Sequence, residues 1–517
     1  MGDDHVEHVD DSLTDTEEIL PLALTQGEVR FDRVRRRAGF VLAPLAALLV
    51  ALADFPALTD EAHRLATIMI AVVVLWICES LPMPVTALLG AALCVVLRVA
   101  PAKEVFAPFA DPLMFLFIGS FILAQAIFHH RLDRRVAFAV LSRPWIGANP
   151  ARILLGFGAV TAAISGWISN TATTAMMFGI GLSILRVLYQ QQDEEGVRLD
   201  PKWAAGLMLM TSFAASIGGL ATPVGTPPNV IGLGFIRGEL GVEIPFFSWM
   251  LLGVPTVLVL FVVLFFVLNT LSPSGVTALP GGREVIRAGR EALGPWTRGQ
   301  RSTCLAFGVT VALWVLPGVL AVVLGARHPT TLAVAARLPE GVVGLLGAIL
   351  LFLLPGDAGA RAITWREASR IDWGVVLLYG GGFAMGTLAF QTGLAETIGR
   401  GATSVLPSGP TGLLIAATVV AVLLSETTSN TASANMVVPV VIAIARAANI
   451  DPLMPALGAT MGASLGFMLP VSTPCNAIVY GSGVVPLSRM MRAGLILDVV
   501  GTVVIVVVVS LLGPLVR

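Results

Sequence analysis

The sequence predicts an all-α polytopic membrane protein built as an inverted repeat, with eleven transmembrane helices and two re-entrant hairpins. Three observations predict it: a composition too apolar for water, a polar motif that occurs twice inside long hydrophobic segments, and a one-sided distribution of Lys and Arg. Of 517 residues, 56% are hydrophobic and 13% charged, and the mean hydropathy is +0.86. A soluble protein of this length presents far more polar surface. Apolar runs such as 64–80, 249–271 and 495–512 approach or exceed the roughly 20 residues a helix needs to cross ~30 Å of hydrocarbon.

Residues 1–38 read as a cytoplasmic tail, largely disordered, acidic at first and basic at its end. Arg30, Arg33, Arg35, Arg36 and Arg37 precede the first apolar run and set the N-terminus in the cytoplasm. The tail has neither the basic n-region nor the apolar h-region of a cleavable signal. Spans follow at 39–55, 64–81, 84–98 and 112–129, then at 203–235, 247–271, 303–325, 341–355 and 374–391, then at 453–483 and 493–513. Two segments, 151–187 and 409–445, are too long for one crossing and carry a polar Ser-Asn-Thr in the middle. Each is expected to enter and leave on one side with its tip buried in protein. The four cysteines lie in or beside apolar stretches without metal-ligand spacing, so neither a disulfide framework nor a zinc site is expected.

With the hairpins counted as non-crossing, the side of every loop is fixed. The basic residues of 30–37, 131–152, 186–202, 283–301, 361–370 and 489–492 fall on the cytoplasmic side, 23 of 32, as the positive-inside rule requires. Single crossings at the hairpins would put the arginine-rich 283–301 outside. Ser169-Asn170-Thr171 recurs as Ser429-Asn430-Thr431. In the same order, Gly119-Ser120-Phe121 pairs with Gly381-Gly382-Phe383, Ala215 to Gly218 with Ala463 to Gly466, and Thr226-Pro227-Pro228-Asn229 with Thr473-Pro474-Cys475-Asn476. The chain is a duplicated unit. Five crossings separate the hairpins, an odd number, so the second unit is inverted. The expected division is the tail, a first span and repeat over 39–271, a cytoplasmic linker 272–302 and an inverted repeat over 303–517, with the C-terminus outside.

Ser-Asn-Thr beside a helix start offers hydroxyls, an amide and free N–H groups to an anion such as a carboxylate or sulfate. The same residues also serve as plain N-caps. The proline-containing breaks free backbone carbonyls, which suit a hard cation such as Na⁺ where they line a cavity; a simple kink is the alternative. Ser165 and Ser425 lie one helical turn before each motif, where their hydroxyls can join a cation shell or bond their own backbone. No Lys or Arg occurs in 165–178, 218–231, 425–437 or 466–480. A dianion brought there needs co-bound cations, and two repeat-related sites predict at least two. Glu79 and Glu426 are carboxylates in apolar surroundings. Glu79 suits a structural joint between two spans, and Glu426 suits either a local role or proton coupling. Gly462-Ala463-Ser464-Leu465-Gly466 fits a nucleophile pattern, but all six histidines lie outside the motif segments, so no enzyme is expected.

These motifs, with Glu79 to Ala87, Phe115 to Gly119 and Gly380 to Phe383, resemble the divalent anion/sodium symporter family, which includes carriers of dicarboxylates, citrate and sulfate. The resemblance runs through nearly all of the chain beyond residue 38. It implies a homodimer in the inner (plasma) membrane whose subunits divide into scaffold and transport domains that move as an elevator. It implies substrate contacts at Asn170, Thr171, Thr226, Asn430, Thr431, Thr473 and Pro474. It also implies one sodium site at Ser165, Ser169, Asn170 and Gly225, and a second at Ser425, Asn430 and Ser472. Relatives often carry Thr at position 425, Ala at 472 and a second Pro at 475. The expected function is Na⁺-coupled uptake of C4-dicarboxylates such as succinate, malate and fumarate, with small divalent anion, sodium and lipid as partners and no nucleic acid. A sodium-independent dicarboxylate exchanger, a sulfate or citrate carrier and, more distantly, a cation/proton antiporter stand as alternatives.

Overall fold

The computed structural model describes residues 26–195, 200–279, 282–402 and 409–516; the tail expected to be disordered lies, as far as residue 25, outside the described residues. The chain begins with α1 (Gln26–Leu52), α2 (Asp60–Cys78), α3 (Met83–Val96), the short α4 (Ala102–Phe106), α5 (Pro112–His129) and the connecting α6 (Leu132–Leu141). The first hairpin is α7 (Pro150–Ser165) and α8 (Asn170–Glu195). A broken span follows as α9 (Pro201–Gly218) and α10 (Pro227–Leu240), then α11 (Phe246–Leu271) and the connector α12 (Gly282–Glu291). The second half runs through α13 (Arg298–Leu324), α14 (Pro329–Arg337), α15 (Glu340–Leu353), α16 (Trp365–Ala368), α17 (Trp373–Gln391) and α18 (Leu394–Ala402). It ends with the second hairpin, α19 (Pro410–Thr427) and α20 (Asn430–Ala447), a second broken span, α21 (Leu453–Gly462) and α22 (Pro474–Gly481), and α23 (Leu487–Leu512).

Helix starts are written locally. Asp111, Asn149 and Asp200 each accept a backbone N–H at an N-cap, and each is followed by a proline in the first turn, where its missing donor costs nothing. At the N-terminus the structure departs from the expected boundary: α1 already starts at Gln26, so the basic cluster is helical. Arg35 bonds Asp32 and Glu79 at 2.8 Å each, and Arg36 bonds Asp32 at 2.8 Å. Asp32 lies three and four residues before the two arginines, so the pairs span one helical turn, and Glu79 ties α1 to the joint between α2 and α3.

Both hairpins return to the face they start from. Arg135, ahead of the first hairpin, donates to the carbonyls of Leu293 (2.8 Å) and Gly294 (2.9 Å) beyond it, and Gln300 donates to the His130 carbonyl (3.0 Å). At the opposite end Arg237 pairs with Asp111 at 2.5 Å. Had the first hairpin crossed, each of these pairs would be split between faces. At the second hairpin Leu413, early in α19, clusters with Ile444 and Ala445, late in α20. Ten described helices are long and apolar enough to cross a membrane, or eleven if α14 and α15, bent by 58°, form one span. That set includes the hairpin arms α8, α19 and α20, and omits α1, α3 and the broken α21–α22, so it is not the same eleven that the sequence reading counts.

The helices pack as two bundles. One contains α1, α2, α3, α5, α13, α15 and α17; the other contains both hairpins, both broken spans, α11 and α23. In the first bundle α5 packs on α15 and α17 on α3, so each repeat lends a helix to the other. The repeated Gly119 and Gly381 make this possible. A Cβ at Gly119 would sit 2.3 Å from the carbonyl carbon of Gly344, and one at Gly381 would sit 2.7 Å from the Ala87 side chain. In lipid, where apolar side chains gain nothing by leaving the solvent, such backbone approach holds helices together. Gly119→Val is therefore expected to force α5 from α15 at a cost of about 1–3 kcal/mol, read as a lower thermal midpoint of the purified protein in detergent; an unchanged midpoint would refute this contact.

Candidate substrate and cation site

Each broken span is held open by an asparagine. After α9 the backbone leaves the helix between Gly219 and Thr226, and Asn229 Nδ2 reaches back to donate to the carbonyls of Gly219 (3.0 Å) and Thr222 (2.8 Å). After α21, Asn476 Nδ2 donates to Gly466 (2.9 Å) and Leu469 (3.0 Å). The two sets correspond residue by residue, and both asparagines are fully buried. Asn476 Oδ1 also accepts from Ser212 (2.6 Å) in α9, fastening the second break to the first repeat. Thr473 caps α22 by accepting from Asn476 N (3.1 Å), while Thr226 occupies the matching position before α10 with no cap bond of its own.

The hairpin tips meet these breaks. Ser165 Oγ donates to Asn170 Oδ1 at 2.7 Å, and Ser425 Oγ donates to Asn430 Oδ1 at 2.7 Å. Ser425 also donates to the Ala463 carbonyl (2.8 Å). The Asn170 amide finds its best partners with its nitrogen facing inward. With nitrogen inward it donates to Gly225 O (3.2 Å), Ala215 O (3.1 Å) and Ser165 Oγ (2.7 Å). With oxygen inward the same position gathers oxygens from Asn170, Ser165, Ala215 and Gly225, a donor set of the kind a hard cation takes. Ser165, Asn170 and Gly225, separated in sequence, are thus brought together as expected.

Other expected residues fall differently. Ser169 is half-buried and its carbonyl accepts from Thr173 N (3.0 Å). Ser429, its mate, is an ordinary N-cap that accepts from Ala432 N (3.2 Å). Ser472 donates to the carboxylate of Glu426 (2.8 Å) and to its carbonyl (2.9 Å), rather than bonding Ser425 or Asn430. The same carboxylate accepts from Met468 N (2.8 Å) and Leu469 N (3.2 Å). Asn170, Thr171, Asn430 and Thr431 are half-buried, Thr226 and Thr473 buried, and Pro474 exposed at the start of α22. Thr171 lies beside the Cys475 thiol, across the repeats. The staples Asn229 and Asn476 and the carbonyls of Ala215 and Ala463 join the expected set; the paired Thr-Pro-x-Asn motif signalled the asparagines, whereas backbone ligands leave no residue-type signal.

The profile of the family described as Sodium:sulfate symporter transmembrane region matches residues 36–517. The chain belongs to this symporter family. Among similar proteins, a sodium-dependent dicarboxylate transporter, SdcS, of Staphylococcus saprophyticus is 34% identical over 487 residues, spanning 93% of this chain and 92% of its own. A protein of the same name from Staphylococcus aureus is 32% identical over 484 residues, spanning 92% and 91%. Two solved structures share the fold at low identity. The YdaH transporter of Alcanivorax borkumensis aligns with TM-score 0.50 and 16% identity over 92% of this chain and 96% of that one. MtrF of Neisseria gonorrhoeae aligns with TM-score 0.50 and 13% identity over 81% and 84%. This symporter-family member is accordingly a multi-pass membrane protein.

The approach of the tips to the breaks depends on two glycines unequally. A Cβ at Gly219 would lie 2.5 Å from Asn170 Oδ1, whereas one at Gly466, whose carbonyl takes the corresponding asparagine bond, would lie 3.3 Å from Asn430 Oδ1. Gly219→Ala is expected to weaken apparent cation affinity by about tenfold or more, each tenfold being about 1.4 kcal/mol, with Gly466→Ala much milder. Ion titrations of uptake in the two folded variants check the order; equal effects would contradict the geometry.

Proposed function

We propose that the protein is a secondary active transporter that couples uptake of C4-dicarboxylates, such as succinate, malate and fumarate, to entry of Na⁺. The observation that carries the reading is the duplicated pairing of a tip serine with a tip asparagine beside an unwound segment. Each gathers neutral oxygens suited to a monovalent hard cation, and each stands at the start of a helix whose N–H groups and partial positive charge favour a carboxylate. A substrate with a carboxylate at each end suits two such helix starts. The proposed substrate contacts are Asn170, Thr171, Thr226, Asn430, Thr431, Thr473 and Pro474. The proposed cation oxygens are those of Ser165, Ser169, Asn170 and Gly225 and of Ser425, Asn430 and Ser472. The names of the relatives, sodium-dependent dicarboxylate transporters, support the same substrate and ion.

The absence of Lys and Arg from the motif segments makes coupling a physical requirement. A dianion at membrane depth is strongly disfavoured unless compensated, and the cation count must offset it together with the helix ends. In a cation-free site the inward nitrogen of Asn170 satisfies its neighbours; in a loaded site the inward oxygen does. Ion binding and substrate binding then share one side chain in each repeat.

The bundle holding both tips and both breaks is the moving body of an elevator, the other bundle a fixed scaffold within a homodimer in the plasma membrane, N-terminus cytoplasmic and C-terminus outside. The placement of 23 of 32 basic residues on one side supports that orientation. The family description names sulfate, a second dianion that the same helix starts fit.

Uptake of labelled succinate into proteoliposomes is expected to rise steeply when a Na⁺ gradient is imposed, with weaker competition by sulfate and citrate; no succinate uptake under any gradient would sink the reading, and uptake indifferent to Na⁺ would establish exchange instead. Asn170→Ala and Asn430→Ala are each expected to reduce uptake to background, since each removes a cation oxygen and an anion donor together. Near-normal flux in either variant would refute its assignment.

A further inference from the structure

A second carboxylate lies beside Glu426 that neither the fold nor the paired sites account for. Asp498, in the middle of α23, is 5% exposed, and both of its oxygens are buried without a hydrogen-bond donor. It stands against the Glu426 carboxylate, with the Phe467 amide nearby but not completing a hydrogen bond. Glu426 is fixed by Met468 N, Leu469 N and Ser472 Oγ, so its position is determined while Asp498 faces it unsatisfied.

Among the described residues, no base is paired with these two acids. The helices packed on α23 are α11, α19 and α21. α11 and α21 contain no charged residue, and α19 contains only Glu426. On α23 itself the nearest base is Arg492, about 9 Å along the helix axis. A buried carboxylate with neither donor nor counter-charge is strongly disfavoured, and two in contact more so.

The pair belongs to one repeat only. Glu426 follows Ser425 as Gly166 follows Ser165. Gly253 in α11 and Gly494 in α23 meet corresponding backbone, at Leu220 and Phe467, and that register sets Val257 opposite Asp498. Where the second repeat has two carboxylates, the first has a glycine and a valine. The symmetric Ser–Asn clusters therefore do not explain the acids.

We propose that the carboxylates of Glu426 and Asp498 form a third cation site, unique to the second repeat, that takes Na⁺. The oxygen-only donor set suits a hard ion, and the charge it brings compensates the face of the pair that backbone amides do not reach. The proposal rests on the Na⁺-coupled reading above and adds to it an odd ion beyond the two that the repeat symmetry supplies.

The test measures ²²Na⁺ and ¹⁴C-succinate entry together in proteoliposomes. The wild-type protein is expected to carry about three Na⁺ per succinate and Asp498→Asn about two, with the Na⁺ Hill coefficient lower by about one. A wild-type ratio of two, or equal ratios in both proteins, overturns the site. Proton entry with succinate that Asp498→Asn abolishes, at an unchanged Na⁺ ratio, overturns it in favour of a bound proton. If the wild type moves no succinate, the functional reading fails separately, and thermal stability against rising Na⁺ still reports the site. The midpoint of Asp498→Asn should then rise less per tenfold Na⁺ than that of wild type, because stabilisation grows with each ion bound; parallel rises overturn the assignment.

Discussion

Everything at the candidate site depends on keeping two stretches of backbone unwound inside a membrane. A carbonyl without a partner at that depth costs several kcal/mol, and each break exposes several. Asn229 and Asn476 solve this identically, each spending both amide hydrogens on two carbonyls of the loop it closes. Because those carbonyls are satisfied by a side chain and not by another turn of helix, α10 and α22 begin afresh in the middle of the protein, each with proline in its first turn, where no N–H is lost.

The hairpin tips complete what the breaks begin. A serine one turn before the tip fixes the asparagine at its start, and that asparagine reaches across to a neighbouring chain segment: Ala215 and Gly225 in one repeat, Ser464 in the other. Neither the tip nor the break gathers this set of oxygens alone. Packing of α22 on α8 and α9, and of α10 on α20 and α21, places each repeat's break against the other repeat's helices.

Much of this was legible because the decisive residues are adjacent in sequence and occur twice. Ser-Asn-Thr and Thr-Pro-x-Asn can be matched by eye, and a helical turn links Ser165 to Asn170. What escaped has physical reasons. The carbonyls of Ala215 and Ala463 act through backbone, for which residue type is silent. Ser472 could be assigned to a sodium shell by resemblance, but only packing places its hydroxyl on Glu426 at 2.8 Å. The pairing of Arg35 in α1 with Glu79, a residue far along the chain, is likewise set by tertiary packing. Asp498 did carry a signal, being the sole charged residue between 493 and 516, but it lies outside every repeated motif and only packing brings it to Glu426.

The contacts between the two bundles bear on whether one can slide past the other. At one end of the molecule Arg237 of α10 bonds Asp111 at the start of α5, and Tyr379 of α17 donates to the same carboxylate at 3.3 Å. Close by in the same layer, the Phe246 amide at the start of α11 donates to Glu340 at the start of α15. Much of the remaining contact is aromatic or apolar, as where Phe235 meets Phe383 and Trp167 meets Phe307. Apolar surfaces can be exchanged for one another in lipid at little cost, whereas each polar latch must be broken. Arg237 and Asp111 are 27% and 13% exposed, so water can replace their bond in part, which keeps its worth nearer that of a surface pair than of a sealed one. Among the described residues the ion pair between the bundles lies at one end, with only the weak Ser429–Met83 sulfur contact at a hairpin tip, so little polar bonding resists displacement of one bundle against the other.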